Sequence, residues 1–215
     1  MKDEVTDKLW KISSGLKFSS DYLIPIERGK PISPANLGSG FQKFYLEIGS
    51  GWGEVAIELA EKAPETLFVL MEKKIDRLIH TETNLKARKL QNLRFLCVNF
   101  NWFFTELFQP ESFDEILMNF PDPWPKKKHT KHRTFNEDFP KTLLYLLKPG
   151  GKFNFATDHN GYGRQVIRIL RNSYSDEIKN FQYKSKRENF PISFFEKENV
   201  SSSHRFTYIE FEKNS

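Results

Sequence analysis

The sequence predicts an α/β protein, with a mostly parallel, doubly wound sheet of about seven strands and an antiparallel C-terminal strand. Three features of its 215 residues point there. Short apolar runs rich in β-forming residues alternate with longer amphipathic segments. The first run closes on a glycine-rich loop that opens a helix, and the last follows a serine-rich turn with no long helix before it. Parallel neighbours need crossover connections, so the alternation places helices on both faces of the sheet.

The first strand is expected over 44–48 and its helix over 54–63. A strand over 67–71 leads to a helix over 74–90, and a third strand covers 93–98. The fourth, 115–120, enters a proline-rich and then basic loop before a helix over 136–147. The turn Lys148-Pro149-Gly150-Gly151 precedes a fifth strand over 152–157 and a helix over 162–174, and the final strand covers 205–211. Residues 1–43 hold no sustained apolar period and carry Gly29-Lys30-Pro31, Ser33-Pro34 and Gly38-Ser39-Gly40. They are expected to form a loosely ordered lead-in to one domain over 44–215.

Composition excludes several classes. The longest apolar stretches fall far short of the roughly 20 residues that cross a bilayer. The N-terminus mixes acids and bases without an apolar core, unlike a secretory signal. The one cysteine, Cys97, allows neither an internal disulfide nor a cysteine-based zinc site. A cytoplasmic protein with no membrane partner is expected. Its net charge of +5 has one source: the segment 125–133 holds five bases and no acid, and elsewhere 28 bases balance 28 acids. A polyanion is therefore met at one place rather than over a generally basic surface.

Ligands of such sheets bind beyond the carboxyl ends of the strands. The first such loop reads Glu47-x-Gly49-x-Gly51-x-Gly53. Glycines there let the backbone turn tightly and lie against a flat ligand. A nicotinamide-type fingerprint would set its third glycine at position 54, where this chain has Glu54. An acid heading the helix disfavours a pyrophosphate but tolerates a cationic nucleoside. The spacing resembles the first motif of S-adenosylmethionine-dependent methyltransferases. Glu72 ends the second run 21 residues after Gly51, where a carboxylate can accept from two ribose hydroxyls. Asn99, after the third strand, could contact an adenine amino group.

The loop after the fourth strand carries Pro121, Asp122, Pro123, Trp124 and Pro125. The prolines restrict themselves and the residues before them to extended conformations, so Asp122 and Trp124 should be displayed stiffly. Trp124 offers a stacking face, and the bases beyond can grip phosphates. His129 and His132 lack a further carboxylate or cysteine in the run, so no metal is expected.

The pattern Phe-Pro-Asp-Pro-Trp-x-Lys-x-x-His-x-x-x-Arg, over 120–133, resembles the signature of the bacterial tRNA (guanine-N7-)-methyltransferases. The resemblance runs from Phe44 to the C-terminus. It implies a Rossmann-like methyltransferase fold and methyl transfer from S-adenosyl-L-methionine to N7 of guanosine at position 46 of the tRNA variable loop. The products are 7-methylguanosine and S-adenosyl-L-homocysteine. By the same resemblance Glu47, Gly49, Gly51, Gly53, Glu72, Asn99 and Asp122 bind the donor, Asp122 also being catalytic. Lys126, Asp158 and the Ser193-Phe194-Phe195-Glu196 element meet the substrate. Lys127, Lys128, Lys131 and Arg133 are expected on RNA phosphates, with tRNA rather than DNA as partner. A monomer is the simpler expectation, a homodimer the alternative.

Asn99 stands where the family usually has Asp, Ser193 replaces Thr, and Glu198 and Asn199 replace an Arg and a Gly. The competing readings are a methyltransferase of this fold with another substrate, RNA or not, and a catalytically inactive RNA-binding partner.

Overall fold

A computed structural model describes residues 11, 15–27, 29–98, 104–199 and 205–215. β1 (Lys43–Ile48), β2 (Thr66–Glu72), β3 (Leu93–Cys97), β4 (Phe113–Asn119) and β5 (Leu147–Thr157) run parallel. With β6 (Ile178–Lys184) and β7 (Thr207–Lys213) they form a seven-stranded sheet in the order β3-β2-β1-β4-β5-β7-β6. β7 lies antiparallel between β5 and β6, as expected for the last strand. β1 pairs with β2 on one side and β4 on the other, so strand order reverses there. Such a switch opens a crevice beyond the carboxyl ends of β1 and β4.

Strand alternation sorts side chains between two cores. Leu46 and Ile48 of β1 join a core with Leu143 of α4 (Phe139–Leu146) and Val166 of α5 (Asn160–Ser173). The short α3 (Phe104–Leu107) adds Leu107 to the same face. Tyr45 points the other way, into a core with Val55 of α1 (Glu54–Lys62) and Leu78 of α2 (Ile75–Arg88). β2 is buried along its whole length, which explains its unbroken apolar run. Each fully buried Leu or Ile contributes roughly 1.5–3 kcal/mol. A last helix, α6 (Phe194–Asn199), precedes β7.

Four departures from the sequence expectation have local causes. The helix expected from 136 starts at Phe139, because the Asn136 carboxamide oxygen accepts from the amides of Asp138 and Phe139 at 3.0 and 3.1 Å and turns the chain first. The Lys148–Gly151 segment is part of β5, with an irregular register opposite Phe113 and Glu115. β6 was not anticipated: it is an edge strand whose side chains are mostly exposed, so it has no apolar period. The lead-in is not loose over its described central part. Tyr22 and Ile24 are buried, and the Phe95 amide donates to Tyr22 O at 2.7 Å while the Ile24 amide donates to Phe95 O at 2.8 Å. This strip covers the outer edge of β3.

Candidate active site

The glycine loop is folded against β2. The amides of Gly49 and Ser50 donate to Met71 O at 2.8 and 3.1 Å. Gly53 has a left-handed backbone with φ of 77°, and a Cβ there would lie 2.5 Å from Thr81 Cγ2 of α2. Thr81 in turn donates its hydroxyl to Trp52 O at 3.0 Å, so α2 fixes the loop from behind. Gly51 is also left-handed, with φ of 59°, but a Cβ there would meet nothing within 4 Å. The open side of the loop is at Gly51.

Glu72 is 3% exposed and serves as a hub. One oxygen accepts from the amides of Lys73 and Lys74 at 2.8 and 2.9 Å. The other accepts from the Gly51 amide at 3.1 Å and meets Arg77 at 3.4 Å. These four donors match the roughly four acceptor positions of a carboxylate, and the Arg77 contact is the longest.

Glu47, at 2% exposed, is the most perturbed acid of the site. Burial pushes its carboxyl up to about 8, the nearby Glu54 adds to the rise, and Arg187 opposes it. Five buried side-chain polar atoms among the described residues lack a hydrogen-bond partner. Four of them, Glu47 Oε2, Ser50 Oγ, Glu54 Oε2 and Asn119 Nδ2, belong to the ends of β1 and β4, the loop after β1 or the first residue of α1, which is where a polar ligand would satisfy them.

Asp122 is exposed at the carboxyl edge, between two residues with left-handed backbones. Phe120 has φ of 47° and Trp124 φ of 42°. Extended conformations were expected before Pro121 and Pro125, so the structure corrects that reading: the loop is held in a strained form, as binding loops often are. Its restraints are visible. The Phe120 amide donates to Ala156 O at 2.8 Å, and its ring packs on Phe195 and Phe206 at 4.9 and 5.6 Å. Arg133 Nε donates to Pro123 O at 2.7 Å.

Arg133 was expected on RNA phosphates and the structure reassigns it. It is 6% exposed, its guanidinium also bonds Gln165, and it lies 4.8 Å from the centre of the Tyr162 ring. A buried cation so engaged braces the loop. Lys126, Lys128 and Lys131 remain exposed around the 3-10 turn Lys127–His132, and Trp124 stands beside His129 and His132. Asp158 is half-buried on the same edge, where His159 Nδ1 accepts from the Tyr162 amide at 3.0 Å and starts α5. Asn99 and the side chain of Lys127 lie outside the described residues.

The Ser193–Glu196 element divides in two. Phe194 and Phe195 are exposed, whereas Ser193 and Glu196 are buried. Glu196 accepts from the Ser193 amide and hydroxyl, both at 2.8 Å, and from Tyr208 OH at 2.7 Å. Arg187 reaches Glu196 at 3.5 Å and donates to Asn119 Oδ1 at 3.2 Å. Nothing in the sequence singles out Arg187, which sits among Lys184, Lys186 and Glu188 as an ordinary charged linker. Arg77, Thr81 and Tyr208 likewise carry no motif. A cavity of about 600 Å³ opens on this side, walled by Trp52, Glu54, His80 and Phe194 among others.

Fold and site together define a Rossmann-like methyltransferase. A structure of the 16S rRNA methyltransferase KamB superposes with a TM-score of 0.59 at 15% identity, over 82% of this chain and 90% of that one. A Streptococcus mutans protein described as "a putative methyltransferase" and solved in complex with SAH gives 0.55 at 12% identity, over 80% and 89%. A family model described as "Putative methyltransferase" matches residues 42–206. The tRNA (guanine-N(7)-)-methyltransferase of Leptospira interrogans is 46% identical over 211 residues, spanning 98% of this chain and 97% of its own. The chain belongs to the tRNA (guanine-N(7)-)-methyltransferase family.

Proposed function

We propose that this chain methylates N7 of guanosine in tRNA, at position 46 of the variable loop, with S-adenosyl-L-methionine as donor. The observation that supports it best is the placement of a braced, exposed Asp122 at the same sheet edge as the unsatisfied Glu47, Ser50 and Asn119.

The unmet acceptors and the open face of Gly51 fit a donor whose amino-acid end carries an ammonium group. Glu47 would hold the ammonium, and Glu72 would accept from a ribose hydroxyl in place of the Arg77 contact. Asn99 would meet the adenine. The donor supplies an electrophilic methyl group on a sulfonium. N7 of guanine has an in-plane lone pair and no proton at neutral pH, so it bonds to that carbon as the carbon–sulfur pair returns to sulfur. No strong general base is required.

Asp122 therefore acts by position and charge. It holds the guanine amino and imino protons and stabilises the positive charge that the purine gains. In-line placement of the reacting atoms can supply roughly 7–11 kcal/mol, which is why a braced loop matters. Asp158 and the exposed Phe194 and Phe195 border the substrate side. Ser193 and Glu196 support it from beneath through Arg187 and Tyr208. Lys126, Lys127, Lys128 and Lys131 carry phosphate affinity. The enzyme works as a monomer in the cytoplasm, where its tRNA is.

The test uses two tRNA transcripts, one with guanosine and one with 7-deazaguanosine throughout. Methyl transfer to the first alone is expected. Equal labelling of both would place the methyl on another atom and overturn the proposal.

A further inference from the structure

Glu54 enters the sequence only as the residue where a nicotinamide fingerprint has glycine. In the structure it does more. One carboxylate oxygen accepts from the Phe194 amide at 2.7 Å, across 140 residues, and so joins the first residue of α1 to the first residue of α6. Its other oxygen is buried without a partner, as is Glu47 Oε2. Strand alternation turns Glu47 to the face on which α1 packs, the face of Tyr45 and Leu117. Glu54 is near enough for its charge to disfavour that of Glu47, and two such carboxyl groups, each with an unmet oxygen, are best satisfied by one shared cation.

We infer that Glu54 is a positioning residue: it pairs with Glu47 at the donor's ammonium site and, through Phe194, couples that site to the seating of α6. The inference rests on the functional reading above. Without donor, Glu47 holds a proton up to about pH 8. When the donor's ammonium arrives it takes that proton's place, the proton leaves to solvent, and the cation meets the unmet oxygens of both Glu47 and Glu54. A cation on Glu54 Oε2 fixes the same carboxylate whose other oxygen accepts from the Phe194 amide. Donor binding and docking of α6, which carries the exposed Phe194 and Phe195, then favour each other reciprocally.

Burial and Glu54 on α1 disfavour the charge of Glu47, and only Arg187, from the segment between β6 and α6, favours it. Arg187 is itself engaged by Asn119 of β4 and Glu196 of α6, with Tyr208 of β7 beside it. The site thus lacks a dedicated cation for Glu47 among the described residues, which leaves that role to the ligand.

The experiment compares the full-length wild type with Glu54→Gln and Glu54→Ala. Calorimetry of S-adenosylmethionine binding between pH 6 and 9, in two buffers of different ionisation heat, counts the protons released. Steady-state kinetics with tRNA separates KM from kcat. For the wild type, donor affinity should rise by up to about tenfold per pH unit and level off near pH 8, with proton release at pH 7. Glu54→Gln keeps an acceptor for Phe194, so its tRNA KM should stay within about twofold while its donor profile levels off at lower pH. Glu54→Ala should show the same pH shift and a tRNA KM raised about tenfold, as for loss of one charge-assisted hydrogen bond. Wild-type proton release in Glu54→Gln, or a wild-type tRNA KM in folded Glu54→Ala, overturns the coupling. Should circular dichroism find Glu54→Ala unfolded, the proton count of Glu54→Gln decides. A wild-type protein that binds no S-adenosylmethionine overturns the functional reading instead.

Discussion

Arg133 Nε donates to Pro123 O at 2.7 Å, so a buried guanidinium holds the backbone of the residue immediately after Asp122. The rest of that guanidinium is fixed by Gln165 of α5 and the Tyr162 ring, which ties the loop to a helix rather than to solvent.

Arg133→Lys is therefore expected to lower kcat about tenfold or more, because an ammonium cannot reproduce the planar fork that reaches Pro123 and Gln165 together. Donor affinity should change little. Steady-state kinetics beside donor calorimetry checks this, and a selective loss of RNA affinity with unchanged kcat would restore the phosphate role first expected of Arg133.

Asp122→Ala is expected to keep the fold, since the side chain is exposed, and to lose about 100-fold or more in turnover. Its melting curve should match the wild type. Single-turnover assays at saturating donor read the loss directly, and wild-type turnover would remove Asp122 from the mechanism.

Replacing Lys126, Lys128 and Lys131 together by Ala should weaken tRNA binding and reduce the slope of log affinity against log salt by about 2 to 3. All three are exposed around one turn. Filter binding across a salt series measures it, and an unchanged slope would move the phosphate contacts elsewhere.

Glu47→Gln should stabilise the protein while destroying donor binding. The Glu47 carboxyl rises from an ordinary 4.5 to about 8 on folding, so the folded state holds a proton that the unfolded chain releases. That contribution is fully present below pH 4.5 and is lost as pH rises toward 8. The wild type should therefore lose stability over this window relative to Glu47→Gln. Near pH 8 the variant should melt higher, by about 2–4 °C for each kcal/mol recovered. Parallel melting curves at all pH values would contradict the buried, proton-bearing state.

The sheet was legible where burial imposes a period. β1 to β5 read as apolar runs because helices cover both faces, and the loops after β1 and β4 stood out because Gly53 and Pro121 have backbone reasons to be there. The rest was hidden for the opposite reason. β6 is an exposed edge, and Tyr22 and Ile24 are too few to make a period, although they seal β3. Arg133 and Arg187 look like surface bases, since neither their neighbours nor their spacing records that they fold inward onto Pro123 and Glu196. Glu54 was read for the ligand it discourages, not for the amide of Phe194 that only the tertiary fold brings to it.

The most direct measurement incubates the purified protein with methyl-labelled S-adenosylmethionine and unmodified tRNA, digests the RNA to nucleosides and separates them. Label in 7-methylguanosine, absent when Asp122 is replaced by Ala, is the predicted result. A folded, donor-binding protein that leaves no label in 7-methylguanosine would contradict it.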